Sequence, residues 1–335
     1  MIDNSVYRSA LSRMGLLPPG VEPTLTPLTG GVSSDILRVE FPGTTLCIKR
    51  SLSQLRVQAE WLAPVERNRW EVKWMRVAAE ALPDAVPRIL GEDAESGMFA
   101  MEFLPEARFP VWKALLRDGI ISAEAAEEVG NRLGILHARS AKRADLAELF
   151  ATDHIFHPIR LDPYLGATAR AHPDLSGPLN AIIHTTATTK LALVHGDISP
   201  KNILLGPRGP VFLDAECAWY GDPAFDLSFC LNHFLLKCLW RPQWTSGYLE
   251  CFDALVAAYR SHIHWELPDA LEARAARLLP GLFLARVDGK SPVEYVTDEA
   301  DRNLVRTVAR PLIIEPVGQL AEIRTRWLAA LQSRT

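Results

Sequence analysis

The residues best able to do chemistry stand together in the middle of the chain, where His195-Gly196-Asp197 is followed five positions later by Asn202, and then by Asp214 and Glu216. One acid followed by an amide and two further acids supplies two different things. The first is a base that can orient a hydroxyl and accept its proton; the second is a set of hard oxygen donors for a divalent ion such as magnesium. Together they suit phosphoryl transfer from a nucleoside triphosphate. Asp and Asn also cap turns, which is the plainer explanation for each of them taken singly. Two other readings use the same residues: a metal-dependent hydrolase built on His195, Asp197, Asp214 and Glu216, and a catalytically silent nucleotide-binding module.

A second set lies nearer the N-terminus. Thr29-Gly30-Gly31-Val32-Ser33-Ser34 joins two strand-like runs and can lay backbone N–H groups and the Ser33 and Ser34 hydroxyls over phosphates. Gly-Gly between strands also serves as an ordinary hairpin turn. Lys49 ends the apolar run TTLCIK, where a strand-end lysine is either exposed or phosphate-binding. The sequence G-x-x-x-x-G-K-S/T is absent, which removes the P-loop class.

The order and spacing of HGDxxxxN, the following Asp214 and Glu216, and the later GDPAFDL stretch (Gly221 to Leu227) resemble the aminoglycoside phosphotransferase and choline kinase family of protein-kinase-like enzymes. The resemblance covers about residues 24 to 235. It implies Asp197 as base, Asn202 and Asp214 as magnesium ligands and Glu216 as an auxiliary acid at the metal. Lys49 matches the lysine that binds the α- and β-phosphates, with Glu71 as its helix partner and Glu66 as the runner-up. Gly30, Gly31, Ser33 and Ser34 fall in the phosphate loop, and backbone groups of Glu102 and Leu104 in Met101-Glu102-Phe103-Leu104 meet the adenine edge. Asp226 resembles the acid that braces the loop from beneath, and His195 is read as a hydrogen-bonded structural residue. Gly196 stands where protein kinases carry arginine, so activation-loop control is not expected. The implied activity is transfer of the γ-phosphoryl group of ATP or GTP, with Mg2+, to a hydroxyl of a small molecule.

These residues need elements to hold them. An amphipathic helix including Val6 to Leu16 precedes strands TLTPLTGG, DILRVEF and TTLCIKR, the last two joined by Pro42-Gly43. A helix runs from Pro64 to about Leu82, with Trp70, Trp74, Val77 and Ala81 on one face and the basic run Arg67, Arg69, Lys73 and Arg76 read as solvated. Strands VPRILGE and GMFAMEFL follow. Helical patterns occupy 109–117, 122–143 and 174–188; LALVHGD, NILLG and PVFLD read as short strands; helices resume over 223–238, 245–263, 268–287, 299–310 and 319–333. Asp222-Pro223 makes a capping pair for the first of these. His137, in a helix, reads as a core-edge histidine.

The fold class is therefore α+β, with a small antiparallel β lobe (1–104), a larger helical lobe (105–335) and the site in the cleft between them, and the resemblance implies that this two-lobed fold is protein-kinase-like. The segment Leu284 to Pro292 gathers Arg286, Asp288 and Lys290 around Gly289 at a helix end. Asp288 or Lys290 is the candidate for contact with the acceptor; the plainer reading is that Gly289 ends the helix and Arg286 and Lys290 complement its dipole.

Bulk properties bound the partners. A formal net charge of -4 and mild pI give no polyanion-binding surface, so nucleic acid is not expected. Five cysteines, odd in number and without a CxxC pair, argue against a disulfide framework or a cysteine zinc site and suit a reducing compartment. No signal-peptide pattern or membrane-length apolar run is present, and a cytoplasmic, membrane-free protein is expected. Residues 241–335 carry 12 acids and 12 Lys/Arg, which shows no specialisation for a polycationic acceptor. Oligomeric state is not fixed by any of these features.

Overall fold

The computed structural model describes residues 4–28, 34–52 and 66–333. Gly30, Gly31 and Ser33 of the expected phosphate loop lie outside the described residues, as does Pro64 at the expected helix start.

The chain opens with α1 (Asn4–Arg13), followed by β1 (Thr24–Pro27), β2 (Ser34–Phe41) and β3 (Thr44–Ser51). After α2 (Arg67–Ala81) come β4 (Ile89–Asp93) and β5 (Met98–Glu102), which complete an antiparallel sheet of order β1-β2-β3-β5-β4. Pro42-Gly43 forms the β2–β3 turn between the paired Phe41 and Thr44, and Gly43 takes φ 77°, a conformation open to glycine without strain. Side chains alternate between the two faces of the sheet. Leu37, Val39, Leu46, Ile48, Met98 and Ala100 pack under Tyr7, Ala10 and Leu11 of α1. Cys47, Phe99 and Met101 point the other way, toward Val72, Trp74 and Met75 of α2, and join a core that continues into the rest of the molecule. The cleft floor is thus part of one apolar body.

The remainder is mostly helical. In chain order it contains α3 (Trp112–Arg117), α4 (Ala123–Ser140), α5 (Ala144–Leu149), α6 (Asp153–Phe156), α7 (Ala167–Ala171) and α8 (Ser176–Thr188). Ser122 caps α4, its hydroxyl accepting from the Ala125 N–H at 3.0 Å. Between α6 and α7 the helix widens into a π-helical stretch, His157–Gly166, with Pro163 inside it. None of 144–171 is expected from the sequence. Two prolines and wide turns erase the 3.6-residue pattern by which a helix is read.

Four short strands carry the central motif: β6 (Ala192–Val194), β7 (Ile203–Gly206), β8 (Gly209–Phe212) and β9 (Trp219–Gly221). β7 pairs with β8, whereas β6 pairs with β9, a strand the sequence hides because its three residues are too few to show alternation. The molecule closes with α9 (Ala224–Trp240), α10 (Thr245–Arg260), α11 (Pro268–Asp288), α12 (Glu299–Ile314) and α13 (Leu320–Gln332). Helix α9 is buried almost all round and forms the axis of this part, so its polar residues must find partners inside the protein. All five cysteines are buried, and burial raises each thiol pKa, for Cys47, Cys238 and Cys251 to about 12. Among the described residues no helix is long and apolar enough to cross a membrane.

Candidate active site

The loop after β6 is built from its backbone outward. Gly196 has φ 83°, and a Cβ there would lie 2.7 Å from the Cys217 carbonyl oxygen, so both conformation and space demand glycine. Asp226, at the start of α9, accepts the His195 N–H at 2.7 Å and the Gly196 N–H at 2.8 Å. Its Oδ2 also meets His137 Nε2 at 3.2 Å, while His137 Nδ1 faces the Tyr259 hydroxyl at 2.8 Å. His137 is therefore a fully buried brace for Asp226, not a core-edge residue.

His195 holds the same loop from the other side. Its Nε2 faces the Leu213 carbonyl at 3.1 Å and its Nδ1 accepts the Asp197 N–H at 3.1 Å. A neutral ring protonated on Nε2 satisfies both, and burial lowers its pKa in agreement. With both nitrogens engaged, His195 has none left for a metal. Trp74 of α2 packs edge-on against its ring at 4.7 Å, tying the sheet side to the loop.

Asp197 is 3% exposed. Its Oδ2 lies 3.0 Å from Arg160 Nη2 and 3.2 Å from Lys201 Nζ. Arg160 also donates through Nε to the Gly196 carbonyl, so one guanidinium from the π-helical stretch holds both the carboxylate and the backbone of the loop. Sequence reasoning missed Arg160, which is 37 positions from Asp197 and carries no local motif. Asn202 Nδ2 donates to the Asp197 carbonyl at 3.1 Å, which leaves its Oδ1 without a hydrogen-bond donor among the described residues. Asp214 follows β8 with φ 68°, unusual for a residue other than glycine, and half-emerges beside Asn202 at the cleft.

Lys49 of β3 is buried with its Nζ 2.9 and 2.7 Å from the two Glu71 oxygens, and it also contacts Asp214 Oδ1. Burial disfavours the Lys49 ammonium, but Asp214, Glu71 and Glu216 overcome it and raise its pKa. Burial pushes the Glu71 carboxyl up against the pull of Lys49. It also opposes the Asp214 charge, yet Lys49, Lys201 and Arg160 prevail and lower the Asp214 pKa. Glu66, the runner-up, is at the surface, 3.3 Å from His154.

Glu216, expected as an auxiliary acid at the metal, has a different partner. It is buried against Arg67, with Nε 3.1 Å from Oε2. Arg67 also donates to the Leu52 carbonyl at 3.2 Å and is fully buried, which corrects its placement on a solvated basic face. A buried arginine needs a carboxylate, and its partner lies 149 positions away. Asp222 accepts the Ala224 N–H at 3.0 Å as an α9 cap and is also held by Arg274 at 3.0 and 3.1 Å.

A cleft of about 470 Å³ opens between the sheet and the helical part. Ser34, Lys49, Glu71, Glu102, Leu104, Asn202 and Asp214 line it. The Glu102 N–H is taken by the Arg88 carbonyl at 2.9 Å. Leu104 N–H makes no backbone hydrogen bond among the described residues. Ser34 Oγ is buried without a partner among the described residues. A larger hollow of about 730 Å³ lies elsewhere, beside α2 and the β4–β5 turn, and contains none of the loop residues.

Asp288 and Lys290 are not gathered into this cleft. Arg306 binds both Asp288 oxygens at 2.9 and 2.6 Å and His172 binds Oδ2 at 2.8 Å, so the carboxylate is spent on joining α11 to α12 and α7. Lys290 gives its N–H to the Pro163 carbonyl at 2.8 Å and leaves its side chain exposed.

Solved structures with the same arrangement include a choline/ethanolamine kinase family protein from Mesorhizobium loti (TM-score 0.53, 17% identity, 98% of this chain and 99% of that one) and choline kinase from Cryptosporidium parvum Iowa II (0.52, 13%, 99% and 95%). The fold is protein-kinase-like. Residues 24–262 match the model of the phosphotransferase enzyme family (APH), and the chain belongs to that family. Among curated proteins it is 25% identical over 218 residues to methylthioribose kinase of Yersinia pseudotuberculosis serotype O:1b (strain IP 31758), covering 57% of this chain and 53% of that protein. The chain thus spans about half the length of that relative.

Proposed function

We propose that the chain is a small-molecule kinase that moves the γ-phosphoryl group of ATP, with magnesium, to a hydroxyl of its acceptor. The observation that carries this reading is the buried Lys49–Glu71 pair touching Asp214 at the cleft floor, next to a separately held Asp197. A lysine so placed meets phosphate oxygens as a fixed cation. At the back of the cleft, a carbonyl at Glu102 and a free N–H at Leu104 suit the amino group and ring nitrogen of adenine.

Asn202 Oδ1 and the Asp214 carboxylate are hard oxygen donors side by side, and they fit magnesium, which takes one or two protein ligands together with phosphates and water. Bound there, the ion would neutralise charge on the phosphates. The acceptor hydroxyl then hydrogen-bonds to Asp197, its oxygen forms a bond to the γ-phosphorus as the bond to the ADP oxygen breaks, and the proton passes to Asp197. Lys201, which reaches both Asp197 and the nucleotide cleft, stands where the transferring group passes. Residues 1–104 hold the nucleotide in this scheme and 105–335 hold the loop and acceptor.

His195 speaks against the hydrolase alternative, since both its ring nitrogens are committed inside the protein. The test is ADP release with magnesium over sugars, amino alcohols, hydroxy acids and aminoglycosides, repeated with Asp197→Asn. Turnover that depends on an acceptor and falls by orders of magnitude in the variant, with ATP affinity kept, supports the reading; turnover independent of any acceptor would overturn it.

A further inference from the structure

Beyond Asp197, away from the nucleotide, the protein assembles cations that its own acids do not neutralise. Arg160, on Asp197, lies 5.9 Å over the Phe229 ring; Phe229 packs on Tyr164 at 5.4 Å and on His233 at 5.9 Å. Arg286 of α11 sits 5.6 Å over the Tyr164 ring, with Nη1 3.4 Å from the Tyr164 hydroxyl and 3.1 Å from Ser291 Oγ. Four positions past His233 on α9, Lys237 is 1% exposed, with Nζ 4.9 Å over Trp240 and 5.3 Å over Tyr295. Packed side chains therefore run from Asp197 through Phe229 and His233 to the helix turn that carries Lys237.

Neither Arg286 nor Lys237 has an ion-pair partner among the described residues. Glu294, the acid that acts on Lys237, is itself held by Lys113. A buried ammonium set against aromatic faces with no paired carboxylate is costly unless an anion completes it. His233 senses the imbalance: burial, then Arg286, Lys237, Lys201 and Lys113, drive its pKa well down. Two polar atoms in the same place are buried without partners among the described residues, Arg286 Nε and the Tyr295 hydroxyl. A donor on a cation and a phenol left unpaired together point to a ligand that accepts hydrogen bonds.

A cationic acceptor is disfavoured by the same residues. Trp240 and Tyr295 stack at 4.4 Å, and their faces are taken by Lys237, Lys113 and Arg241, so an ammonium ligand would find aromatic rings already occupied by the protein's own cations.

We propose that the acceptor is an anion, a hydroxy acid or a sugar carrying carboxylate or phosphate, whose charged group is received by Arg286 and Lys237 while its hydroxyl reaches Asp197. This rests on the kinase reading. Arg286, read from the sequence as a helix-dipole complement, becomes a specificity residue in place of Asp288 and Lys290.

The experiment measures magnesium-ATP turnover with D-glycerate, D-gluconate and glucose 6-phosphate against the matched neutral glycerol, sorbitol and glucose and the cationic ethanolamine and kanamycin. Wild type is compared with Lys237→Met, Lys237→Arg and Arg286→Gln, and magnesium-ATP binding is followed separately by thermal shift. The expected result is a kcat/KM at least about tenfold higher for an anionic acceptor than for its neutral match, lost by about tenfold or more in Lys237→Met and Arg286→Gln, kept in Lys237→Arg, with the ATP KM within about twofold throughout. The carboxylate and phosphate arms show which anion is taken. Preference for a neutral or cationic acceptor overturns the inference, as does magnesium-ATP binding with no turnover of any anionic compound. Absence of both magnesium-ATP binding and ADP release would instead overturn the kinase reading, and the inference with it.

Discussion

Arg160 Nη2 lies 3.0 Å from Asp197 Oδ2 while Arg160 Nε donates to the Gly196 carbonyl, so the position of the proposed base is set by a side chain from a different part of the fold. Two hydrogen bonds from one planar guanidinium fix orientation as well as distance. Replacing Arg160 with methionine should lower kcat by about 10- to 100-fold with the ATP KM within about twofold, and lysine should restore only part of the loss. Steady-state kinetics of the three proteins decides this; an unchanged kcat would remove Arg160 from the positioning of Asp197.

Glu216 and Asp214 are close in sequence but have different partners, Arg67 for the first and Lys49 for the second. Glu216→Gln removes the charge that faces the buried Arg67 guanidinium and should cost about 3–5 kcal/mol of stability, while changing magnesium-ATP affinity little in the folded protein. Asp214→Ala should abolish magnesium-supported nucleotide binding. Denaturation midpoints and calorimetric titration separate the two; loss of magnesium-ATP affinity in folded Glu216→Gln would return Glu216 to the metal.

Gly196→Ala places a methyl group 2.7 Å from the Cys217 carbonyl oxygen in a left-handed backbone conformation. The variant should lose at least about 2 kcal/mol and shift the loop that carries Asp197. Chemical denaturation measures the first effect, and a normal midpoint would contradict the packing described.

Burial lowers the Lys237 pKa to about 7, with Lys113 adding to the effect and Glu294 and Cys230 opposing it. In the unfolded chain the same amine keeps its proton to near the ordinary lysine value of 10.5. Between these values the unfolded state binds more protons, so stability should rise with pH from about 7 toward 10.5. Lys237→Met should flatten that rise. Urea midpoints across this range provide the check, and identical slopes in both proteins would show that the amine is not desolvated as described.

What could be read from the chain depended on whether partners were neighbours in sequence. The loop from His195 to Asn202 and the Asp214 that follows are local, so their order alone marks the cleft side where they meet. The five-stranded sheet was equally legible, because its apolar alternation is strong and Pro42-Gly43 marks its turn. Arg67 was misread because a basic helical run normally faces water, and nothing nearby announces a carboxylate 149 positions on. Arg160 and the widened turn that presents it were invisible for a related reason: a π-helical stretch containing Pro163 has neither the period of a helix nor that of a strand. Lys237 sits in a helix buried on all sides, where one cation among apolar residues looks like an accident of sequence until its surroundings are seen.

The burial of all five cysteines has a practical consequence. A thiol reagent in solution can reach Cys47 in the sheet, Cys217 behind the loop, or Cys230, Cys238 and Cys251 in α9 and α10 only when that region opens. The native chain therefore carries its own reporters of breathing, distributed across both sides of the cleft. The order in which single-cysteine versions become labelled would reveal which part of the molecule loosens first, without attaching any foreign probe.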